Sequence, residues 1–301
     1  MITAKNLSKH FGDIKAVDNI SLNIKDNNVF GLIGTNGAGK STFLKMCAGI
    51  FKPDAGSLEI DGEEVFENIK IKQSFFYISD EQHFLPNTTP DDMRKLYKSF
   101  YKDFDDNRFN ALMKNFDLDP NRKIKTFSKG MKKQVSVICG VSANTKYLFC
   151  DETFDGLDPV IRQAVKRLFA QDIDERGLTP IIASHNLREI EDICDNVGIL
   201  HKGGMLLAKD LENIKGDVHK VQIVFSNEAM GFEYIKQHLN IVKSDSRGSL
   251  YVLTIKGEYE TINDFLNKLN PVFFEMLPLT LEEIFIVETE VAGYDIKTLI
   301  F

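Results

Sequence analysis

No segment of this sequence is apolar enough to cross a membrane. The longest stretch without a formal charge is 13 residues, 27–39, and it is studded with Gly and Asn, whereas a spanning helix needs about 20 mostly apolar residues. Positive charge is not in excess either. Asp and Glu outnumber Lys and Arg by 44 to 37, a net charge of −7, so no global positive field draws in nucleic acid or an anionic bilayer. Cysteine is scarce: Cys47, Cys139, Cys150 and Cys194 lie far apart with no Cys-x-x-Cys pair. That pattern suggests neither a zinc site nor a disulfide framework, and the four read as small buried hydrophobes. No apolar signal segment opens the chain, so the expected location is the cytosol. What is present is a chain of 301 residues, 43% hydrophobic and 27% charged, suited to one large or two modest globular domains.

Short β-rich runs come first, at residues 2–7, 14–17, 20–24 and 29–33, broken by Asp, Asn and Gly turn residues. A helix is expected from residue 40 to about 50, then strands at 57–60 and 75–78. From Thr89 to about Val141 the pattern turns helical, with Pro90 in a first turn and Met93, Leu96, Tyr97 and Phe100 at i, i+3, i+4, i+7. Apolar runs at 147–150, 180–183 and 197–200 then alternate with helical stretches at 160–173 and 187–194, as parallel βαβ units do. Near Gly216 the composition shifts, and the remainder spells β-α-β-β-α-β, a ferredoxin-like order. The fold class expected is therefore α/β: residues 1–215 as a first domain with an antiparallel β part and an inserted helical subdomain at about 85–141, and residues 217–301 as a small α+β domain.

Gly34-Thr35-Asn36-Gly37-Ala38-Gly39-Lys40-Ser41-Thr42 fits G-x-x-x-x-G-K-[ST], after an apolar strand and before a helix. Its glycines let the backbone wrap a polyphosphate, and the helix start at Lys40 adds a partial positive end to the same spot. Lys40 suits the β and γ phosphates, and the Ser41 hydroxyl suits Mg²⁺, which prefers hard oxygen ligands. Asp151-Glu152 closes a four-residue apolar strand, where an open α/β sheet presents its ligands; one carboxylate can serve a metal and the other a water. Ser128 stands at an N-cap, so its hydroxyl and the following N–H groups make a second anion site.

The ordered set of this phosphate loop, Phe127-Ser128-Lys129-Gly130-Met131, Tyr147-Leu148-Phe149-Cys150-Asp151-Glu152, Phe154-Asp155-Gly156-Leu157-Asp158 and Ser184-His185 resembles the ATP-binding cassette (ABC) family, specifically the separate ATPase subunit of a transporter. The resemblance is dense over residues 1–215. Beyond them it rests on Leu279-Thr280-Leu281-Glu282-Glu283-Ile284-Phe285, similar to the ending of drug- and antibiotic-exporter ATPases. It implies an ATPase that uses ATP and Mg²⁺, pairs with a second ATPase subunit, identical or different, and drives a separate transmembrane permease at the inner face of the cell membrane, with export favoured. It further implies that Asp151 holds Mg²⁺ through its water shell, that Glu152 polarises the attacking water, and that His185 touches the γ-phosphate and orients Glu152. Phe11 takes the place of the aromatic that stacks on adenine. Ser128 and Gly130 serve the nucleotide of the partner subunit, although Lys129 replaces the family's first Gly and its Gln is missing. Asp80 stands where the family has a metal-contacting Gln, with Gln82 two residues on. The competing reading is a soluble cassette ATPase acting on ribosomes or DNA; one phosphate loop, no heptad insertion and net negative charge disfavour it, and no nucleic-acid partner is expected. A kinase or GTPase of another phosphate-loop class is disfavoured by the Ser128 segment, by His185 and by the lack of an Asn-Lys-x-Asp sequence.

Overall fold

The computed structural model describes residues 1–225 and 228–291, and the chain divides into two compact units, Met1–Ala208 and Lys209–Phe301. In the first unit an antiparallel sheet of order β2-β1-β4-β5 is made by β1 (Ile2–Phe11), β2 (Ile14–Ile24), β4 (Ala55–Ile60) and β5 (Glu63–Glu64). The runs expected at 14–17 and 20–24 are one strand rather than two. Val17 and Ile20 are both fully buried, yet three residues apart they would face opposite sides of a regular strand. Asn19, at φ 54°, absorbs the extra residue as a bulge, and Asn6, at φ 48°, does the same between the buried Ala4 and Leu7 of β1.

The second sheet has the order β10-β9-β3-β8-β7-β6, from β3 (Phe30–Ile33), β6 (Phe75–Ile78), β7 (Tyr147–Asp151), β8 (Thr179–Ser184), β9 (Asn196–His201) and β10 (Gly204–Asp210). β9, β3, β8, β7 and β6 run parallel, and β3, β7 and β8 are buried at every position, the near-continuous apolar habit of a sheet covered on both faces. Ile33 pairs with Ser184 and Asp151 with Ala183, so the carboxyl ends of three neighbouring strands lie side by side. The first helix, α1 (Lys40–Cys47), packs on β7 and β8. It stops three residues short of the expected end, because Gly49 at φ 61° turns the chain out of the helix. A short α2 (Ile69–Lys72) precedes β6.

Three helices form the inserted block: α3 (Pro90–Phe100), α4 (Asp106–Asn115) and α5 (Lys129–Ser142). Thr89 and Asp92 close a capping box on α3, Asp105 caps α4 and Ser128 caps α5. Arg108 of α4 bonds to the buried Asp172 of α6 (Pro159–Arg176), which also takes Arg176 at 2.7 Å, tying the block to the sheet's own helices. α7 (Leu187–Glu191) completes the unit. All four cysteines are free and buried.

In the second unit α8 (Leu211–Asp217) leads into β11 (Val218–Val224), α9 (Glu228–His238), β12 (Asn240–Arg247), β13 (Leu250–Lys256), α10 (Tyr259–Lys268), β14 (Phe273–Leu277) and α11 (Leu281–Val291). The sheet is antiparallel with order β12-β13-β11-β14, the ferredoxin-like arrangement. Val221, Ile223, Leu253 and Ile255 from the sheet bury against Ile235, Ile262 and Leu266 from α9 and α10. Residues 292–301 of the expected C-terminal domain lie outside the described residues.

Candidate nucleotide site

The phosphate loop follows β3 and ends at α1. Gly39 has φ 104°, and a Cβ there would lie 2.2 Å from the Ala16 carbonyl oxygen of β2; a Cβ on Gly34 would meet the Leu200 carbonyl at 2.6 Å. The loop is thus clamped between β2 and β9 at positions that only glycine tolerates. No side chain caps α1, so no side-chain acceptor occupies its first N–H groups. Asn36 and Gly37 are exposed on the loop, Ala38 is buried, and Thr42 is half-buried in the first turn of α1. Lys40, 6% exposed, folds back over the loop: its Nζ donates to the Gly34 carbonyl at 2.8 Å and stands 3.5 Å from Glu152 Oε1.

Asp151 is buried at the end of β7. Ser41 Oγ donates to its Oδ1 at 2.9 Å and Tyr77 OH to its Oδ2 at 3.1 Å. Burial pushes the Asp151 carboxyl above its ordinary value, against the pull of those two hydrogen bonds. Burial and the neighbouring Asp151 push the Tyr77 phenol well upward, so it remains a donor. Glu152 begins the turn after β7 with φ 46°, its N–H held by the Ala183 carbonyl at 2.9 Å. Its Oε2 lies 2.9 Å from His185 Nδ1 and accepts the His185 main-chain N–H at 3.3 Å. One carboxylate therefore stands between the loop lysine and a histidine.

Lys40, Ser41, Asp151, Glu152 and His185, distant in sequence, are brought into one connected group. Ser128 is exposed, its hydroxyl accepting the Met131 N–H at 3.1 Å, and Gly130 sits where a Cβ would come 3.1 Å from the Gly156 carbonyl oxygen. Phe11, 43% exposed, ends β1 with its ring edge-on to Phe51 at 5.3 Å. Asp80 turns toward Lys133 Nζ at 3.4 Å. The sequence reading overlooked two residues, Tyr77 and Lys133. Tyr77 belongs to an apolar run that reads as core, and Lys133 sits four residues before Val137 on the face that α5 buries, a helical spacing that does place it inward.

A glycine-rich loop between the buried strand β3 and a helix without a side-chain cap, with two carboxylates at the end of β7 on the far side of β8, is the arrangement of a phosphate-loop nucleotide hydrolase. The family model described as ABC transporter matches residues 17–155. The chain is 31% identical over 288 residues to the ABC transporter ATP-binding protein YtrB of Bacillus subtilis (strain 168), covering 96% of this chain and 98% of that protein. It is 29% identical over 293 residues to the bacitracin transport ATP-binding protein BcrA of Bacillus licheniformis, 94% of each chain. A solved ATP-binding subunit of an ABC transporter superposes with TM-score 0.67 at 26% identity, over 71% of this chain and 92% of that one. The dimeric, post-hydrolysis cassette MJ0796 with ADP and Pi shares the fold, with TM-score 0.64 at 22% identity over 70% of this chain and 99% of that one. The chain belongs to the ABC transporter family, as an ATP-binding subunit with ATPase activity. Among the described residues, no helix is long and apolar enough to cross a membrane.

Proposed function

We propose that this chain is half of an ATP-closed pair of cassettes, with a copy of itself or a related subunit, that drives a separate transmembrane permease in the direction of export from the inner face of the membrane. The observation that carries the chemistry is the Glu152 carboxylate held between Lys40 Nζ at 3.5 Å and His185 Nδ1 at 2.9 Å. In this reading Glu152 takes the proton of the attacking water, His185 orients Glu152, and Lys40 meets the β and γ phosphates. Gly34, Asn36, Gly37, Ala38, Gly39 and Thr42 bind phosphate through the loop backbone and the start of α1. Phe11 has a ring exposed enough to stack on adenine.

Ser41 Oγ and Asp151 Oδ1, 2.9 Å apart, are hard oxygens of the kind and number that magnesium takes from a protein alongside phosphate and water, so they fit Mg²⁺ and would hold it. The ion, when bound, neutralises charge on the phosphates. The half-exposed Asp80 remains a weaker candidate for the same ion. Ser128 and Gly130, at an exposed helix start, would serve the partner subunit's nucleotide.

Export is supported by relatives named for bacitracin transport and, at 31% identity over 212 residues, for linearmycin resistance. The net charge of −7 disfavours nucleic acid as a partner. Residues 217–301 act as an accessory domain, since every nucleotide motif precedes Gly204. The test is Glu152→Gln, which keeps the size of the side chain but cannot take a proton: hydrolysis should drop by on the order of a hundredfold or more, with ATP affinity within a few-fold. Turnover at the parent rate would remove Glu152 from the chemistry.

A further inference from the structure

Lys133 lies on α5, five residues after Ser128, and its side chain is fully buried. Its Nζ donates to the main-chain carbonyl of Glu152 and stands 3.4 Å from Asp80 Oδ1. Removing an ammonium from water costs several kcal/mol unless it is paired and hydrogen-bonded. A methionine or leucine would fill the same space without that cost, so the charge itself has a use. What it holds is a strained turn. Glu152, at φ 46°, occupies the left-handed region that a side chain disfavours, and such residues persist only where the surroundings over-determine them. Its N–H is fixed by the Ala183 carbonyl at 2.9 Å, and its carbonyl takes both Lys133 Nζ and the Asp155 N–H at 3.2 Å.

We propose that Lys133 is a positioning residue for Glu152. It pins the turn that aims the carboxylate at Lys40 and His185, and through Asp80 it links that turn to the loop of residues 79–87. A displacement of that loop then reaches the catalytic turn through one buried charge, without touching the phosphate loop. The proposal rests on the reading of Glu152 as the catalytic carboxylate, which Glu152→Gln tests separately.

The experiment compares steady-state ATP hydrolysis and nucleotide affinity of the full chain with Lys133→Met, Asp80→Asn and the double variant, each checked for folding by circular dichroism. Lys133→Met should lower kcat about tenfold or more, because a small misplacement of a reacting group is costly, while KM for ATP and ADP affinity stay within about threefold. Asp80→Asn should lower kcat more modestly in the parent and hardly at all in the Lys133→Met background, since its partner is already gone. A parent kcat in Lys133→Met, a loss confined to KM, or additive effects in the double variant would overturn the proposal. So would rescue of Asp80→Asn by excess Mg²⁺, which would mark Asp80 as a metal ligand instead. Should Lys133→Met yield no folded protein, Lys133→Gln and Asp80→Asn carry the test, and unchanged kcat in both overturns it. Inactive Glu152→Gln beside fully active Lys133→Met would refute this inference alone; active Glu152→Gln would refute the reading beneath it.

Discussion

His185 offers two groups to a single oxygen of Glu152: its Nδ1 lies 2.9 Å from Oε2 and its main-chain N–H donates to the same atom at 3.3 Å. The second contact comes from the main chain, so replacement of the imidazole by alanine leaves its donor in place. His185→Ala should therefore leave Glu152 held but loosely aimed, with hydrolysis lower by on the order of a hundredfold and ATP binding little changed. Combined with Glu152→Gln it should add almost nothing, because two residues acting as a unit are not additive. Independent, multiplying losses in steady-state assays would separate His185 from Glu152.

Gly39→Ala should abolish nucleotide binding. The new Cβ would lie 2.2 Å from the Ala16 carbonyl, at a φ of 104°, so the loop must leave its position on β2. Gly37 is the control: its φ of 80° makes alanine strained, but nothing lies within 4 Å. Gly37→Ala should cost only the backbone term, about 1–3 kcal/mol. As the chain has no Trp, binding is followed by calorimetry or a labelled nucleotide, and equal losses for the two variants would contradict the clamp.

Asp151 binds its proton more tightly in the folded chain than in the unfolded one, because burial raises its pKa above the ordinary 3.8. Ionising it thus opposes folding, and the stability linked to this group declines as pH rises from 3.8 through the raised folded value. Asp151→Asn, which cannot ionise, should melt at a higher temperature than the parent near neutral pH without nucleotide, while losing hydrolysis. The difference should close as pH falls below the ordinary carboxylate value. Calorimetric melting against pH reads this directly; a less stable variant at neutral pH would mean that the Ser41 and Tyr77 hydrogen bonds outweigh burial.

Ser128 tests the paired arrangement. Ser128→Arg should leave monomer ATP affinity within a few-fold and stop hydrolysis, since it spoils only the site on the partner. Mixing Ser128→Arg chains with Lys40→Ala chains should recover part of the activity, because one composite site of each mixed dimer keeps both residues. Mixed dimers no more active than either parent would count against Ser128 acting between chains with the two sites independent.

Much of the candidate phosphate site is legible from the chain because its parts are local. Nine consecutive residues, Gly34 to Thr42, carry the strand-to-helix turn, its glycines, the lysine and the hydroxyl, and backbone sterics within a short window dictate that geometry. Asp151 and Glu152 likewise announce themselves as adjacent carboxylates closing an apolar run, and the caps Thr89 and Ser128 are readable within one helical turn. The ferredoxin-like order after residue 217 follows from alternating periods of 2 and 3.6. Tertiary structure alone decided what meets across the strand ends. Tyr77 reaches Asp151 over 74 residues, Arg108 reaches Asp172 over 64, and Lys133 joins Asp80 over 53. These meetings depend on the order of the strands, β6 beside β7 beside β8 beside β3, and on the way α4 and α5 pack. Neither is contained in any local window. The same holds for Asn19: only once β1 and β2 are paired must Val17 and Ile20 share one buried face, and the bulge is the backbone's way of meeting that demand.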